Sequence, residues 1–158
     1  MKFKDALEIL RPINGLMGSL TVVIGILNTR GGISLSTLIL NLILGVITYF
    51  FLSGAGMVIN DYYDNEIDKI NRPERPIPSG RISLQQALAL FFLTYVIGVI
   101  LSIVHSILLD LGPLNVLMAL FFGFIGWVYA KWGKKSGFLG NLLEIGRASC
   151  RERVYCEV

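Results

Sequence analysis

The sequence predicts an all-α, polytopic transmembrane helix bundle, and three observations support this fold class. Hydrophobic residues make up 54% of the 158 residues, only 16% are charged, and the mean hydropathy is +0.67. Four apolar runs are long enough, or nearly so, to match the roughly 20 residues that cross a bilayer core. Basic residues also alternate between the loops that separate the runs. A soluble protein with four such apolar core helices fits this composition poorly.

The four predicted spans begin and end at clear signals. Pro12 suits the first turn of a helix, where its missing N–H group costs nothing, and Gly15 and Gly18 permit close packing of a neighbouring helix. Ser83 and Gln86 have the spacing of a capping box at the start of the third span. In chain order, the predicted spans are 13–28, 35–59, 84–109 and 113–130.

The basic residues predict an orientation in the cell membrane. They concentrate before the first span, in the loop after the second span and after the fourth span, whereas the other two loops contain only Arg30. By the positive-inside rule, the N-terminus and the acid-rich loop are therefore expected on the cytoplasmic side. The net charge of +3 follows from this dispersed pattern, so it does not indicate binding to nucleic acid.

The most informative segment, residues 60–80, follows the second apolar run and begins with an acidic motif. Asp61, Asp64 and Asp68 lie three and four positions apart, so a helix that continues through Asp68 would carry them on one face. Carboxylates at the end of a membrane helix are costly unless they are neutralised. Magnesium binds carboxylate oxygens together with phosphate oxygens. The motif therefore predicts that these three aspartates are catalytic and bind Mg²⁺ and, through it, a diphosphate, with Asn60 beside them.

Basic residues near this motif could complete such a site. Arg72 and Arg75 follow the acidic row directly, and Lys134 and Lys135 follow the fourth span. Their side chains are suited to binding phosphate oxygens and to stabilising the charge of a leaving diphosphate. An acidic cluster can also be only a solvated helix end, but the full string of acidic residues followed by Arg-Pro-x-Arg-Pro-Ile-Pro-Ser-Gly makes that reading a poor one.

At these residues the chain resembles the UbiA-type intramembrane prenyltransferases. Their first acidic motif matches Asn60 through Asp68, the Arg-Pro-rich continuation matches 72–80, and 129–134 resembles the motif that runs from a tyrosine to a lysine after their fourth helix. The segments 11–14 and 134–141 are most similar to the archaeal subfamily, the digeranylgeranylglyceryl phosphate synthases. The resemblance covers about residues 5–143.

This resemblance implies a larger domain than the chain contains. Members of the family have about nine transmembrane helices and a second acidic motif in their later half, whereas this sequence has about four spans and only the first motif. Residues 1–143 are therefore expected to be the N-terminal part of a UbiA-type domain that is inactive alone. Residues 144–158, which differ in character from the rest, are expected to be a non-native tail.

The resemblance also implies an activity and roles for individual residues. The activity is transfer of a geranylgeranyl group from its diphosphate to geranylgeranylglyceryl phosphate, so the expected partners are a prenyl diphosphate and a lipid-like acceptor. Arg72 and Lys134 would neutralise the diphosphate held by the acidic motif. Asn14 would contact the acceptor or serve as a helix-packing amide, and Tyr129 would orient a substrate or face the membrane interface.

Other functions stay open at the level of sequence. The acceptor could be aromatic, as in the quinone, chlorophyll or haem O pathways, because the acidic motif is common to these enzymes. From a different class, the chain could be a magnesium-binding segment of a transporter, although its spans contain almost no ionisable residues away from the acidic end. The exception, His105, lies among aliphatic residues and is expected to be a packed or helix-bonded side chain rather than a base.

Overall fold

The computed structural model describes residues 2–29 and 31–132, so Lys134 and the predicted tail at 144–158 lie outside the described residues. This part of the chain folds into helices without strands, which confirms the predicted all-α class. The helices are α1 (Phe3–Leu10), α2 (Pro12–Thr29), α3 (Leu35–Tyr63), α4 (Asn65–Asn71), α5 (Leu84–Leu109) and α6 (Leu114–Lys131).

The helices that match the predicted spans are α2, α3, α5 and α6. By length and composition, α3, α5 and α6 can each cross a membrane, and α2 makes a fourth span when it is counted together with α1, to which it is bent by 44°. The predicted capping box at the start of α5 is confirmed, because the Gln86 backbone N–H donates to Ser83 Oγ at 3.2 Å and the Ser83 N–H donates to Gln86 Oε1 at 3.1 Å.

Helix α3 is the centre of the bundle and contacts each of the other five described helices. Close approach depends on glycine at several points. A Cβ atom at Gly18 of α2 would lie 2.1 Å from the Tyr49 hydroxyl, and one at Gly98 of α5 would lie 2.6 Å from Leu52 Cδ2. The small residues thus let the neighbouring helices pack directly against large side chains of α3, as expected for Gly18.

Helices α2 and α5 both run antiparallel to α3. Arg11, next to the start of α2, binds Asp61 near the end of α3, whereas His105 near the end of α5 binds Asn41 near the start of α3. Consequently α2 and α5 begin, and α3 ends, on the same side of the bundle. We call this side the acidic end and define it by Arg11, Asn60, Asp61, Asp68 and Arg75.

The acidic end is built on a buried apolar cluster. Ile59 of α3, Ile9 of α1 and Ile82 of the loop before α5 are each only 1% exposed and belong to one cluster with Ile77 and Phe91. Burial of these side chains stabilises the end of the bundle by removing apolar surface from water and lipid headgroups. The loop after α4 is therefore part of the packed structure, not a free linker.

The predicted continuous helix through Asp68 is wrong in one detail, because it is interrupted at Asp64. This residue has φ −83° and ψ −1°, and its ψ is far from the value of about −42° of a regular α-helix. The helical hydrogen bonds on either side persist, from the Asp64 N–H to the Asn60 carbonyl and from the Asp68 N–H to the Asp64 carbonyl, at 2.9 and 2.8 Å. The interruption therefore separates α3 from α4 at one residue while the chain keeps a nearly helical course.

Candidate functional site

Two of the three predicted catalytic aspartates are buried together at the acidic end and share one arginine. Arg75 Nη1 donates to Asp68 Oδ2 at 2.5 Å and to Asp61 Oδ1 at 3.3 Å. Asp61 also accepts a hydrogen bond of 2.6 Å from Arg11 Nη2. The side chains of Asp61 and Asp68 are 6% and 9% exposed. Because buried carboxylates need counter-charges, these arginines are the direct reason that both aspartates are tolerated here.

The remaining acidic-motif residues lie beside this pair. Asp64 is half-buried at the break between α3 and α4. Asn60 is also half-buried, and its Oδ1 atom is buried and accepts no hydrogen bond from the described residues. A buried carbonyl oxygen without a donor is uncommon and costs free energy. The acidic end therefore holds a buried oxygen atom to which none of the described residues donates.

The structure distinguishes Arg72 from Arg75, the two arginines that follow the acidic motif most closely. Arg75 is mostly buried and contacts both aspartates, whereas Arg72, the predicted diphosphate ligand, is exposed and uses its backbone N–H to cap α4 at the Asp68 carbonyl. Sequence reasoning placed Arg75 near the site but chose Arg72 for the binding role. Arg11 contributes to the predicted orientation and to the archaeal resemblance but is given no role at the site, although its hydrogen bond to Asp61 makes it a member of the acidic end.

The positions of Asn14 and Tyr129 do not decide whether either residue contacts a substrate. Asn14 is exposed in the first turn of α2, and its backbone N–H donates to the Arg11 carbonyl at 2.9 Å. Tyr129 is half-buried in the last turn of α6. Their predicted substrate contacts stay predictions, as does that of Lys134 beyond the described residues.

An apolar cavity of about 360 Å³ lies between α3, α5 and α6. Ile59, which directly precedes Asn60, lines this cavity together with Gly56, Phe91 and Tyr95. Two glycines before the acidic motif, Gly54 and Gly56, have different surroundings. Gly54 packs on Leu10 of α1, where a Cβ atom would lie 3.0 Å from Leu10 Cδ2, whereas a Cβ at Gly56 would meet nothing within 4 Å. Gly56 thus borders the open cavity and does not pack against a neighbouring helix.

The oxygen ligands of the acidic motif are chemically suited to a hard divalent cation. Asn60, Asp61, Asp64 and Asp68 offer only oxygen ligands, which magnesium prefers, and Asn60 Oδ1 has no competing donor among the described residues. Arginines already neutralise Asp61 and Asp68. Within 2–29 and 31–132, no group of three or more His, Cys, Asp or Glu side chains is arranged to hold a metal ion.

A polar pair lies within the bundle, far from the acidic end. His105 is buried, and its Nε2 atom is 2.9 Å from Asn41 Oδ1. This contact joins α5 to α3, so His105 is the packed, helix-bonded residue that the sequence predicts. Such interhelical hydrogen bonds hold membrane helices together where water is absent.

A second group of charges surrounds Arg81 at the outer surface of the same end. Arg81 Nη1 and Nη2 donate to the two carboxylate oxygens of Glu8 at 2.7 and 2.8 Å. Hydrogen bonding from Arg81 holds the pKa of Glu8 below its usual value, and bonding to Glu8 raises the pKa of Arg81. This ion pair connects α1 to the loop that carries Arg75.

Comparison with known proteins places the chain in a family. The family model described as the UbiA prenyltransferase family matches residues 18–145. A digeranylgeranylglyceryl phosphate synthase from Saccharolobus solfataricus is 40% identical over 149 residues, which are 90% of this chain and 48% of that protein. The protein of the same name from Korarchaeum cryptofilum is 41% identical over 140 residues, 86% of this chain and 44% of that protein.

A solved structure described as concerning digeranylgeranylglyceryl phosphate synthase in membranes is also similar. Its TM-score is 0.74 at 32% sequence identity, and the match covers 89% of this chain and 47% of that one. The chain thus spans about half the length of the curated relatives it matches. Enzymes of this kind are embedded in membranes and generally depend on a divalent metal. From its helices, its acidic motif and these matches, the chain belongs to the UbiA prenyltransferase family.

Proposed function

We propose that the chain forms the N-terminal half of an enzyme that transfers a geranylgeranyl group from its diphosphate to the free hydroxyl of geranylgeranylglyceryl phosphate. The observation that carries this proposal is the acidic end itself, where the buried Asp61 and Asp68 lie with Asn60, and Asn60 directly follows Ile59, which lines the apolar cavity. A diphosphate with a long apolar tail requires both features side by side. The names of the two relatives, both digeranylgeranylglyceryl phosphate synthases, support this choice of substrates.

Magnesium is the proposed metal, held by Asp61, Asp64 and Asp68 with Asn60. When bound, it would supply positive charge to the diphosphate as that group departs. The all-oxygen donor set of the four residues supports Mg²⁺ over softer metals.

Arg11 and Arg75 are proposed to bind the diphosphate oxygens. Both guanidinium groups already lie against the aspartates of the motif, so a small rotation would let each share its N–H groups with a substrate oxygen. Arg75, at 16% side-chain exposure, would act in a water-poor environment, where a fixed positive charge stabilises a leaving anion most. We assign Arg72, which is exposed, to steering the anion towards the site, and Lys134 keeps its predicted role of neutralising diphosphate charge.

The reaction itself requires little further from the protein. The bond between the allylic carbon and the diphosphate oxygen breaks, and the diphosphate keeps the electron pair. The acceptor hydroxyl oxygen bonds to that carbon and loses its proton to water. The cavity walls formed by Phe91, Tyr95 and Ile59 would hold the isoprenoid chain and keep water away from the cationic carbon.

We further propose that the acidic end faces the cytoplasm in the cell membrane. The distribution of basic residues before α2 and after α3 supports this orientation, and both substrates would reach the site from that side.

The test is a transfer assay with the complete family domain reconstituted in lipid nanodiscs. Labelled geranylgeranyl diphosphate is supplied with geranylgeranylglyceryl phosphate or with an aromatic acid as acceptor. We expect transfer to the glycerophosphate lipid, loss of transfer in Asp64→Ala, and normal transfer in the exposed control Glu66→Ala. Transfer only to the aromatic acid would overturn the acceptor, and full turnover by Asp64→Ala would overturn the role of the motif.

A further inference from the structure

All five N–H donors of Arg81 are used, each by a different acceptor atom. Nε donates to Ser79 Oγ at 3.1 Å. Nη1 donates to Asp5 Oδ1 at 2.9 Å and to one oxygen of Glu8, while Nη2 donates to the other oxygen of Glu8 and to the Glu74 carbonyl at 2.6 Å. Exposed ion pairs usually contribute little, but a bidentate arginine within a network is the exception. A saturated guanidinium therefore fixes every group that it touches.

The groups that Arg81 joins belong to two separate segments of the chain. Asp5 and Glu8 lie on α1, whereas Glu74 and Ser79 lie on the loop between α4 and α5. Sequence separations of 76 and 73 residues make this a tertiary contact. Arg81 thus clamps α1 to the loop.

Each clamped segment delivers one arginine to the acidic end. Glu74 immediately precedes Arg75, and its carbonyl is one of the five acceptors of Arg81. Glu8 lies one turn before Arg11, which ends α1 and binds Asp61. Asp61 is where the two segments meet, because both Arg11 and Arg75 donate to its Oδ1 atom.

The backbone at Arg11 indicates that α1 is held in place against a local preference. Arg11 has φ 47° and ψ 63°, the left-handed conformation, which costs free energy for a residue with a side chain and persists only when the surroundings impose it. Pro12 starts α2 on one side of this residue, and the Arg81 clamp fixes α1 on the other. The clamp therefore helps to keep the Arg11 guanidinium directed at Asp61.

We infer that Arg81 is a positioning residue for diphosphate binding: it acts through α1 and the loop to bring Arg11 and Arg75 to the same carboxylate. This inference rests on the proposed function, because it assigns the diphosphate to those two arginines. Arg81 itself touches neither aspartate of the acidic end, so its loss weakens diphosphate binding by misplacing other cations.

The experiment measures the affinity of the complete family domain for magnesium pyrophosphate, from its protection against thermal unfolding in nanodiscs. We expect Arg81→Gln to raise the apparent Kd about tenfold, equivalent to about 1.4 kcal/mol. Glu8→Gln, which loses charge but keeps one acceptor, should raise it about threefold. The double variant, which carries both Arg81→Gln and Glu8→Gln, should have the same Kd for magnesium pyrophosphate as Arg81→Gln alone, because both changes break the same contact.

The matched control is Lys69→Gln. Lys69 pairs with Glu66 within α4 at 2.7 Å, so this change removes one positive charge near the acidic end and one exposed ion pair without affecting the clamp. The Kd of Lys69→Gln should stay within about twofold of the wild-type value. This result would show that the effect of Arg81→Gln comes from misplaced arginines and not from the loss of one positive charge near the site.

Steady-state kinetics give a second readout that a purely structural role would not change. Arg81→Gln should raise KM for the prenyl diphosphate much more than it lowers kcat, and Arg81→Lys, which keeps the charge but not the planar fork, should restore only part of the affinity. If Arg81→Gln does not fold, the Kd and KM values of Arg81→Lys and Glu8→Gln are compared with those of wild type instead.

The possible failures are distinguishable. A wild-type protein that magnesium pyrophosphate does not protect would refute the proposed function and the role of Arg81 with it. A protected wild type with an equally protected Arg81→Gln would refute the role of Arg81 alone. An equal loss of affinity in Lys69→Gln would also refute it, because charge rather than the clamp would then explain the effect.

Discussion

Replacement of Arg75 by glutamine tests how the acidic end tolerates two buried carboxylates. Arg75 bridges Asp61 and Asp68, and the three side chains are 16%, 6% and 9% exposed. Glutamine has a similar reach but no charge. After the change, Asp68 loses the arginine that binds it, and of the described residues Asp61 keeps Arg11, at 2.6 Å.

The expected cost follows from this burial. Removal of one partner from a buried ion pair typically destabilises a protein by about 3–5 kcal/mol, since the other charge is left uncompensated. Arg75 is partly accessible, and Asp61 retains a counter-ion, so we expect the lower limit of that range, about 3 kcal/mol. An exposed ion pair would instead contribute about 0–1 kcal/mol.

The assay is unfolding in mixed detergent, with the free energy of unfolding compared between Arg75→Gln and wild type. Arg72→Gln is the matched control, because Arg72 is exposed on the same loop, and it should change the free energy by no more than about 0.5 kcal/mol. Equal free energies for the two variants would refute the reasoning, because they would mean that Arg75 is no more important to the buried aspartates than an exposed arginine.

Two further predictions concern packing and pH. Gly98→Ala should destabilise the bundle by about 1–3 kcal/mol, because its Cβ would lie 2.6 Å from Leu52 Cδ2 and 3.3 Å from the Leu52 backbone nitrogen; Gly126→Ala, with nothing within 4 Å, should not destabilise it in an unfolding titration. Arg81 lowers the pKa of Glu8 in the folded state, so the stability from their pair should be fully present above the usual Glu8 value of 4.5 and be lost as the pH falls through the lowered value. The free energies of unfolding of wild type and Glu8→Gln, measured across this pH range, check this dependence. A difference between the two free energies that grows as the pH falls would contradict it.

The fold was largely predictable because length and hydropathy determine which segments can cross a bilayer. The predicted spans at 35–59 and 84–109 lie within or coincide with α3 and α5. Helix α1 was not predicted, since eight residues that include Lys4, Asp5 and Glu8 are too short and too charged to give a span signal. Its helical structure depends on tertiary contacts such as Ile9 in the core.

The site was predictable in its aspartates but not in its arginines. The spacing of Asp61 and Asp68 indicated a common side, and both are indeed bound by Arg75. Which loop arginine turns inward depends on the turns at 72–82, where Pro76 and Ile77 are buried, and no local pattern specifies that choice. The break at Asp64 was missed for a similar reason, because the flanking helical hydrogen bonds persist.

The contacts of Arg81 and Arg11 illustrate a second limit of sequence reasoning. Their carboxylate partners lie 50 to 76 residues away, and a single sequence contains no signal for pairing at that distance. The charges of α1 could have suggested a partner of opposite sign in the loop, but several arginines of that loop would have satisfied the pattern equally.

The central claim is that the acidic end binds a diphosphate through a divalent cation. Titration of geranylgeranyl diphosphate into the complete family domain, with magnesium and then with excess EDTA, tests it most directly. The account predicts that chelation weakens binding at least about tenfold, about 1.4 kcal/mol, and that magnesium restores it. Equal affinity in both conditions would contradict the claim.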